Sequence, residues 1–322
     1  MKKAPAEYNG RLQSRKCGKA AERKNNESGC LRMSKIKIAI ASGKGGTGKT
    51  MVAVNLCRIA SESHSVAYLD CDVEAPNGYI FLKPDLTECF PVKQQIPLVD
   101  MNRCTGCGRC AAICQFHDII CLHKEVMVFP ELCHACGGCM LVCPENAITE
   151  IGRDMGHIDI GKKDSIHFIQ GVLNVGEPMA PPLIKAVKNV SHEADLVILD
   201  SSPGTSCPVV ETVRDSALVV LVTDATPFGL HDLKLAVETL RILKLPFVVV
   251  VNRADAGDRK VFSYCSQEGI KILAEIPDDR RIAEAYSRGE LIVESIPSYR
   301  PLFASLKDAV LREADLNSGR SK

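Results

Sequence analysis

Eight of the sixteen cysteines in this 322-residue chain form two runs with the same spacing. Each run reads C-x₂-C-x₂-C-x₃-C, and the second repeats the first at an offset of 29 residues. The eight are Cys104, Cys107, Cys110, Cys114, Cys133, Cys136, Cys139 and Cys143. Thiolates at such close, regular intervals are typical of metal ligands rather than of disulfide partners. The spacing therefore predicts that these residues bind metal clusters.

The repeated run resembles that of bacterial ferredoxins that hold two [4Fe–4S] clusters. In that pattern, three thiolates of one run and the fourth of the other hold each cluster. The resemblance implies a first cluster site, formed by Cys104, Cys107, Cys110 and Cys143, and a second cluster site, formed by Cys133, Cys136, Cys139 and Cys114. Pro144 follows the last cysteine as the pattern requires, whereas Gln115 takes that place in the first run. Zinc is the alternative metal for C-x₂-C pairs, and the tight triplets favour iron.

A second motif predicts a phosphate-binding site. Residues 43–50 read G-K-G-G-T-G-K-T, a full match to the P-loop, between a predicted strand and a predicted helix. Backbone N–H groups of the loop converge on phosphate oxygens at the helix N-terminus, and the loop residues expected there are Gly43, Gly45, Gly46, Thr47 and Gly48. We expect Lys49 to reach the β- and γ-phosphates of ATP and Thr50 to ligate Mg²⁺.

The additional lysine in this loop, Lys44, makes the motif similar to that of the deviant Walker A ATPases, which include MinD, ParA, Mrp and the nitrogenase iron protein. The resemblance implies that Lys44 reaches across a dimer to the nucleotide of the partner and acts like an arginine finger. It also implies a homodimer, or a heterodimer with a paralogue, closed around ATP.

Several other polar residues at predicted strand ends match family motifs. By resemblance, Asp70 helps to hold the Mg²⁺ shell and Asp72 orients or activates the attacking water. Asp200 ends a Walker B strand and holds Mg²⁺ through water. Asn252 and, more loosely, Asp279 match the residues that contact the adenine base. Strand-end residues of these types are also common as simple caps and turns.

The elements that position these motifs alternate between strand and helix. Seven short apolar runs predict buried parallel strands at residues 36–41, 66–69, 166–170, 196–199, 218–222, 247–251 and 271–276. Helical patterns are predicted at residues 52–60, 181–192, 230–243, 280–287 and 302–313. Residues 85–100, with three prolines nearby, are expected to form a loop and linker. The fold class is α/β, a doubly wound, mostly parallel P-loop sheet with a small inserted α+β ferredoxin-like module.

This pattern divides the chain into three predicted parts. Residues 34–95 and 155–315 are predicted to form the ATPase domain, and residues 96–154 the inserted two-cluster domain. Residues 1–33 carry nine Lys or Arg and three Glu, a net charge of +6, and are predicted to be a disordered extension. The remaining body has a net charge of −5, which does not indicate a nucleic-acid-binding surface.

The leading functional hypothesis is an ATP-hydrolysing iron–sulfur protein that couples a nucleotide-switched dimer to electron transfer or metallocluster assembly. Its expected cofactors are ATP, Mg²⁺ and two [4Fe–4S] clusters, and its expected partner is a redox or metallocluster-accepting protein. We expect no nucleic-acid or membrane partner, and a cytoplasmic location in an anaerobic prokaryote. The alternative is a MinD/ParA-like positioning ATPase that uses the module as a redox sensor or docking surface. A cobyrinate-type amidase is a weaker third hypothesis, because the sequence contains no glutaminase domain.

Overall fold

The computed structural model describes residues 36–190 and 192–318. The predicted extension at residues 1–33 lies outside this part of the chain. Described residues form these strands: β1 (Ile36–Ala41), β2 (Val66–Asp70), β3 (Asp85–Val99), β4 (Ile119–Leu122), β5 (Glu125–Val128), β6 (Ile148–Lys163), β7 (Ile166–Leu173), β8 (Leu196–Asp200), β9 (Leu218–Asp224), β10 (Phe247–Asn252) and β11 (Ile272–Ile276).

The helices lie between these strands and after the last one. They are α1 (Lys49–Ala60), α2 (Gly78–Leu82), α3 (Arg109–Ile113), α4 (Gly138–Leu141), α5 (Pro181–Lys188), α6 (Cys207–Val213), α7 (Pro227–Ile242), α8 (Lys260–Gln267), α9 (Arg280–Ser287), α10 (Ile292–Ser295) and α11 (Arg300–Ser318), with a 3-10 turn at Pro297–Tyr299 before α11. In the part of the chain that the structure describes, no helix is both long enough and apolar enough to cross a membrane.

One nine-stranded sheet forms the centre of the molecule, in the order β11-β10-β9-β1-β8-β2-β7-β6-β3. The seven strands from β11 to β7 pair in parallel, and β6 and β3 are added antiparallel at one edge. All seven predicted parallel strands are confirmed, and so is the mostly parallel α/β fold class. Their continuous apolar runs fit strands that are covered on both faces.

Two hydrophobic cores cover the two faces of the sheet. Because side chains alternate along a strand, Ile38 and Ile40 face one core, and Ala39 and Ala41 face the other. Helices α1, α10 and α11 pack on the first face, and α5, α6, α7 and α8 on the second. The sheet is therefore doubly wound, and its parallel strands direct their carboxyl ends to one edge, as in other open α/β sheets.

The expectation of a loop at residues 85–100 was wrong, because these residues form β3. This strand pairs with β6 over its whole length, from Asp85 with Lys162 to Val99 with Ile148. A proline is tolerated here because β3 is an edge strand, so the missing N–H group of Pro91 or Pro97 need not break a ladder hydrogen bond.

Strands β3 and β6 are both longer than β7, the strand beside them in the sheet. β7 pairs with β6 only between Gly156 and Lys163, so the two strands continue beyond the sheet as a two-stranded ribbon. A register shift between Val92 and Lys93 lies where the ribbon leaves the sheet. The domain limits predicted from the sequence, 95/96 and 154/155, fall within this ribbon. The segment that the ribbon carries, residues 100–147, is called the cysteine module below.

The backbone of the cysteine module repeats at the same 29-residue offset as its cysteines. Helices α3 and α4 correspond at this offset, and β4 and β5 form a hairpin between them. Left-handed backbone conformations repeat at the same offset, in the pairs Gly106 and Ala135, Gly108 and Gly137, and His117 and Asn146. The two halves of the module therefore share one local fold.

Candidate functional site

The P-loop lies between β1 and α1, at the carboxyl edge of the sheet. Gly48 has a left-handed backbone with φ of 92°, and a Cβ atom there would lie 2.4 Å from Nδ2 of Asn252. Only glycine fits this position. The Asn252 amide in turn donates to the carbonyl of Thr47 at 2.8 Å, so the residue at the end of β10 holds the loop in shape.

Lys49 is buried at the start of α1 and is surrounded by carboxylates. Its Nζ atom lies 2.7 Å from Oδ1 of Asp200 and 3.9 Å from Oδ2 of Asp72. Burial, the largest single influence, lowers the pKa of Lys49, but Asp200, Asp72 and Asp70 together outweigh it and raise the pKa. The ammonium group therefore stays charged and offsets part of the negative charge of these carboxylates.

Asp70 is fully buried at the end of β2. Its carboxylate accepts hydrogen bonds from the backbone N–H groups of Asp72, Asn77 and Gly78 at 3.2, 3.1 and 2.9 Å. Burial, reinforced by the nearby Asp200 carboxylate, raises the pKa of Asp70 to about 7. Burial likewise raises the pKa of Asp72, whereas Lys49 lowers it. The structure thus brings together the three carboxylates that the sequence predicted.

Tyr68 is a site residue that the sequence analysis missed. Its hydroxyl donates to Oδ2 of Asp200 at 2.8 Å, and its side chain is completely buried. Its ring stacks on Phe168 of the neighbouring strand β7, with 5.7 Å between the ring centroids. Tyr68 and Lys49 therefore each bind one oxygen of the Asp200 carboxylate, Tyr68 from β2 and Lys49 from α1. Only the register of β2 with β8 reveals this contact.

The residues at this edge suit a nucleotide with Mg²⁺. Carboxylate and hydroxyl oxygens are the ligands that Mg²⁺ prefers, and Asp200, Asp72 and Thr50 provide them around Lys49. The hydroxyl oxygen of Thr47 is buried and has no hydrogen-bond partner among the described residues. A phosphate oxygen held by the loop would supply such a partner.

The cysteine module has a cavity at the first cluster site. Its lining includes all four of the cysteines predicted for that site, Cys104, Cys107, Cys110 and Cys143. Backbone N–H groups point at cysteine sulfurs, from Gly106 to Cys104 at 3.4 Å and from Ala147 to Cys143 at 3.3 Å. Such hydrogen bonds stabilise a sulfur that carries negative charge. The donor set fits a thiolate-bound cluster.

Comparison with known proteins identifies the family. A family model described as the CobQ/CobB/MinD/ParA nucleotide binding domain matches residues 38–292, which is most of the chain. The chain belongs to this family. The match spans the P-loop and the strands that end at Asp70, Asp200 and Asn252.

Individual relatives agree with this assignment. Two uncharacterized proteins of Methanocaldococcus jannaschii are similar: one is 31% identical over 85% of this chain and 98% of its own length, and the other is 29% identical over 79% and 90%. An iron-sulfur cluster carrier protein of Pyrococcus horikoshii is 27% identical over 80% of this chain and 79% of its own length. The septum site-determining protein MinD of Pyrococcus horikoshii, complexed with Mg-ADP, shares the fold, with a TM-score of 0.54, 19% identity and coverage of 88% and 98%.

Lys44, the additional lysine of this MinD/ParA-type loop, is bound within its own chain. Its Nζ atom lies 3.2 Å from Oδ2 of Asp224, at the end of β9. Arg253 contacts the same oxygen at 2.7 Å and also donates to the carbonyl of Gly46. Burial raises the pKa of Asp224, but Thr226, Lys44 and Arg253 outweigh it and lower the pKa. The sequence analysis missed Asp224 and Arg253, which follow apolar strands as Asp200 and Asn252 do.

Asp279 lies at the N-cap of α9, where local contacts engage its carboxylate. It accepts a hydrogen bond from the Arg281 backbone N–H group at 2.8 Å and from the Tyr299 hydroxyl at 2.8 Å, and it pairs with the Arg281 guanidinium. These contacts, with Arg281 the largest contributor, lower the pKa of Asp279 far below its usual value. The structure thus gives Asp279 a capping role, and the adenine contact predicted for it stays a prediction.

Proposed function

We propose that this chain is an ATP-hydrolysing iron–sulfur protein in which a nucleotide-switched dimer drives electron transfer or metallocluster assembly. The cysteine module is proposed to hold two [4Fe–4S] clusters within an inserted domain at residues 96–154, between ATPase segments 34–95 and 155–315. The similarity to an iron-sulfur cluster carrier protein supports this proposal.

One observation carries the proposed coupling. The ribbon that bears the cysteine module begins in β6, which pairs with β7, which in turn pairs with β2. Asp70 ends β2, and Asp72 follows it. The backbone N–H group of Leu173, the last residue of β7, donates to the carbonyl of Val73 at 2.9 Å, beside those two carboxylates. We propose that a movement at Asp72 reaches the cysteine module through these three adjoining strands.

The residues of the nucleotide site have separate tasks in this proposal. Lys49 leaves Asp200 and pairs with the β- and γ-phosphates when Mg-ATP binds, because a divalent cation replaces its charge among the carboxylates. When Mg²⁺ is bound, Thr50, Asp200 and Asp70 would hold it, and it would offset the negative charge of the phosphates. Asp72 orients the attacking water. Asn252 and Asp279 contact the adenine base.

Lys44 is proposed to act in a dimer, with a second copy of this chain or with a paralogue. To reach the partner's phosphates, it must first leave Asp224, and Arg253 then remains as that carboxylate's counter-ion. The departure of Lys44 costs little free energy because the Asp224 carboxylate keeps Arg253 as a cationic partner and the hydroxyl of Thr226 as a donor. ATP hydrolysis removes the γ-phosphate and allows Lys44 to return.

The clusters, when bound, accept and release single electrons at low potential. The chain's own contribution is to hold the sulfur ligands in two fixed sets and to donate backbone N–H groups to them. Exposed Cys107 and Cys136 bring one ligand of each set to the surface. A redox or metallocluster-accepting protein can approach there.

The experiment is an anaerobic redox titration monitored by EPR, with iron analysis, in the presence and absence of Mg-ATP. We expect the iron content of two full clusters and a midpoint potential that changes on addition of Mg-ATP. Lys44→Ala should still bind nucleotide but lose this change. If the wild type holds full clusters and their midpoint potentials do not change on addition of Mg-ATP, the proposed coupling is refuted.

A sedimentation assay distinguishes the proposed function from the alternative function, a positioning ATPase. ATP-dependent co-sedimentation with liposomes or with DNA would favour it. We expect no such co-sedimentation.

A further inference from the structure

The internal repeat of the cysteine module is broken at one buried position. At the 29-residue offset, Ile119 corresponds to Ile148, and both are buried in the small core of the module. The residues before them, Asp118 and Ala147, are also equivalent and are 5% and 1% exposed. One half of the module therefore has a buried carboxyl group where the other half has a methyl group.

The two equivalent residues contact the two equivalent cysteines differently. The backbone N–H group of Ala147 donates to the sulfur of Cys143, a ligand of the first cluster site. In the other half, the sulfur of Cys114 donates to Oδ1 of Asp118. Cys114 belongs to the second cluster site. When a metal replaces the thiol proton of Cys114, this carboxyl group lies directly beside a sulfur that carries negative charge.

We propose that Asp118 makes the two clusters unequal, by holding the reduction potential of the cluster at the second site below that of the cluster at the first. This inference rests on the proposed function, because it requires both clusters. Asp118 acts on the second cluster through its charge and is not one of its ligands.

The physical argument is electrostatic. Reduction adds one electron to a cluster, and the negative charge of a carboxylate in a buried, poorly screened position opposes that addition. N–H groups directed at sulfur have the opposite effect, because they stabilise the more negative state. Among the described residues, Gly106 and Ala147 supply two such donors at the first site, whereas the second site has one, from Ala135 to the sulfur of Cys133. The first electron therefore resides on the cluster held by Cys104, Cys107, Cys110 and Cys143.

The test is an anaerobic potentiometric titration of the full-length protein, followed by EPR, with Asp118→Asn and Asp118→Ala. Asp118→Asn keeps the shape and removes the charge, whereas Asp118→Ala reproduces the residue of the other half. In both variants, we expect the ratio of reduced to oxidised second cluster at a fixed potential to be at least ten times that of the wild type. For a one-electron couple, this corresponds to a rise of about 59 mV in the midpoint potential. Glu131→Gln, an exposed residue two positions from Cys133, is the matched control and should change the ratio less than threefold.

The cluster that responds is assigned with Cys136→Ser, which alters a ligand of the second site alone. The proposal is overturned if both Asp118 variants retain full iron and leave the ratio unchanged, or if the first cluster responds instead. It is also overturned if both variants lose one cluster, since Asp118 would then be needed to retain the cluster. A wild-type protein without the iron of two clusters would refute the proposed function itself.

Discussion

At the scale of single residues, the nucleotide site consists of one buried cation among three carboxylates. Lys49 is only 7% exposed, and Asp70 and Asp200 are completely buried. Charges in such positions are costly unless they are paired, so these carboxylates depend on Lys49 or on a divalent cation for compensating positive charge. This dependence is why the protonation of Asp70 and the hydrogen bond of Tyr68 have measurable consequences.

The raised pKa of Asp70 predicts a stability that depends on pH. Because burial and Asp200 raise this pKa from 3.8 to about 7, the folded chain keeps a proton that the unfolded chain loses between those values. Stability therefore falls as the pH rises through this window. We expect the free energy of unfolding without Mg²⁺ or nucleotide to fall by roughly 1 kcal/mol between about pH 6 and 7.5. Urea unfolding measures it. Asp70→Asn should remove this part of the slope, and an unchanged slope would contradict the assignment.

Tyr68→Phe should weaken the site without disturbing the core. The variant keeps the ring stack with Phe168 but removes the hydroxyl that donates to Asp200. A buried carboxylate that loses a donor costs about 1–3 kcal/mol. We expect that loss in urea unfolding without Mg²⁺, together with slower ATP hydrolysis. Tyr264→Phe, on α8, is the control and should change neither quantity. Wild-type stability and hydrolysis in Tyr68→Phe would show that the hydrogen bond has no role.

At the scale of elements, the ribbon is held to the nucleotide domain by a half-buried ion pair. The Arg153 guanidinium in β6 binds both oxygens of Glu177, at 2.5 and 3.0 Å, and the Glu177 side chain is 2% exposed. Glu177 lies in the segment between β7 and α5. The pair thus fixes the angle at which the ribbon leaves the sheet.

A double-mutant cycle at this ion pair tests its contribution. Arg153→Met leaves the Glu177 carboxylate unpaired, and Glu177→Gln leaves the half-buried Arg153 guanidinium without its counter-ion; we expect each to cost about 1–3 kcal/mol. The double variant should cost less than the sum of the two. Lys93 and Asp154, an exposed pair 3.6 Å apart on the same ribbon, form the matched control and should couple by less than about 1 kcal/mol. Additive losses at Arg153 and Glu177 would exclude a direct interaction.

Prediction from sequence succeeded where a local pattern determines the structure. The apolar runs predicted all seven parallel strands, and the glycine pattern predicted the P-loop. It failed for β3, because prolines suggested a loop and only the presence of β6 beside it makes a strand possible. Tyr68 was missed because its contact depends on which strands are neighbours, and no local pattern in the sequence encodes that register. Asp224 and Arg253 lie at strand ends, as Asp200 and Asn252 do, but strand ends alone do not show that these two residues pair.

At the scale of the whole molecule, two parts have very different cores. Both faces of the nine-stranded sheet are covered by large hydrophobic clusters. The buried core of the cysteine module consists of Cys110, Cys114, Ile119 and Ile148, and two of these four residues are proposed cluster ligands. Such a small core cannot offset the entropy of ordering the segment, so bound metal must supply much of its stability.

Removal of iron should therefore unfold the cysteine module and leave the sheet intact. After anaerobic treatment with an iron chelator, we expect hydrogen exchange to accelerate throughout residues 100–147. Protection should persist in β1, β8 and β9 at the centre of the sheet, and the chain should still bind nucleotide. Unchanged protection in the cysteine module would show that its fold does not depend on metal.

The pairing of Val92 with Gly156 has a consequence for how the chain could assemble. The polypeptide leaves the sheet and returns to it at neighbouring points, so the intervening segment closes a loop whose ends already lie side by side. The entropy of closing a loop grows only slowly with its length, by about 0.6 kcal/mol for each doubling. The sheet can therefore complete its edge before the loop is ordered. Maturation by metal then becomes a separate, later event, which a cell can time independently of synthesis.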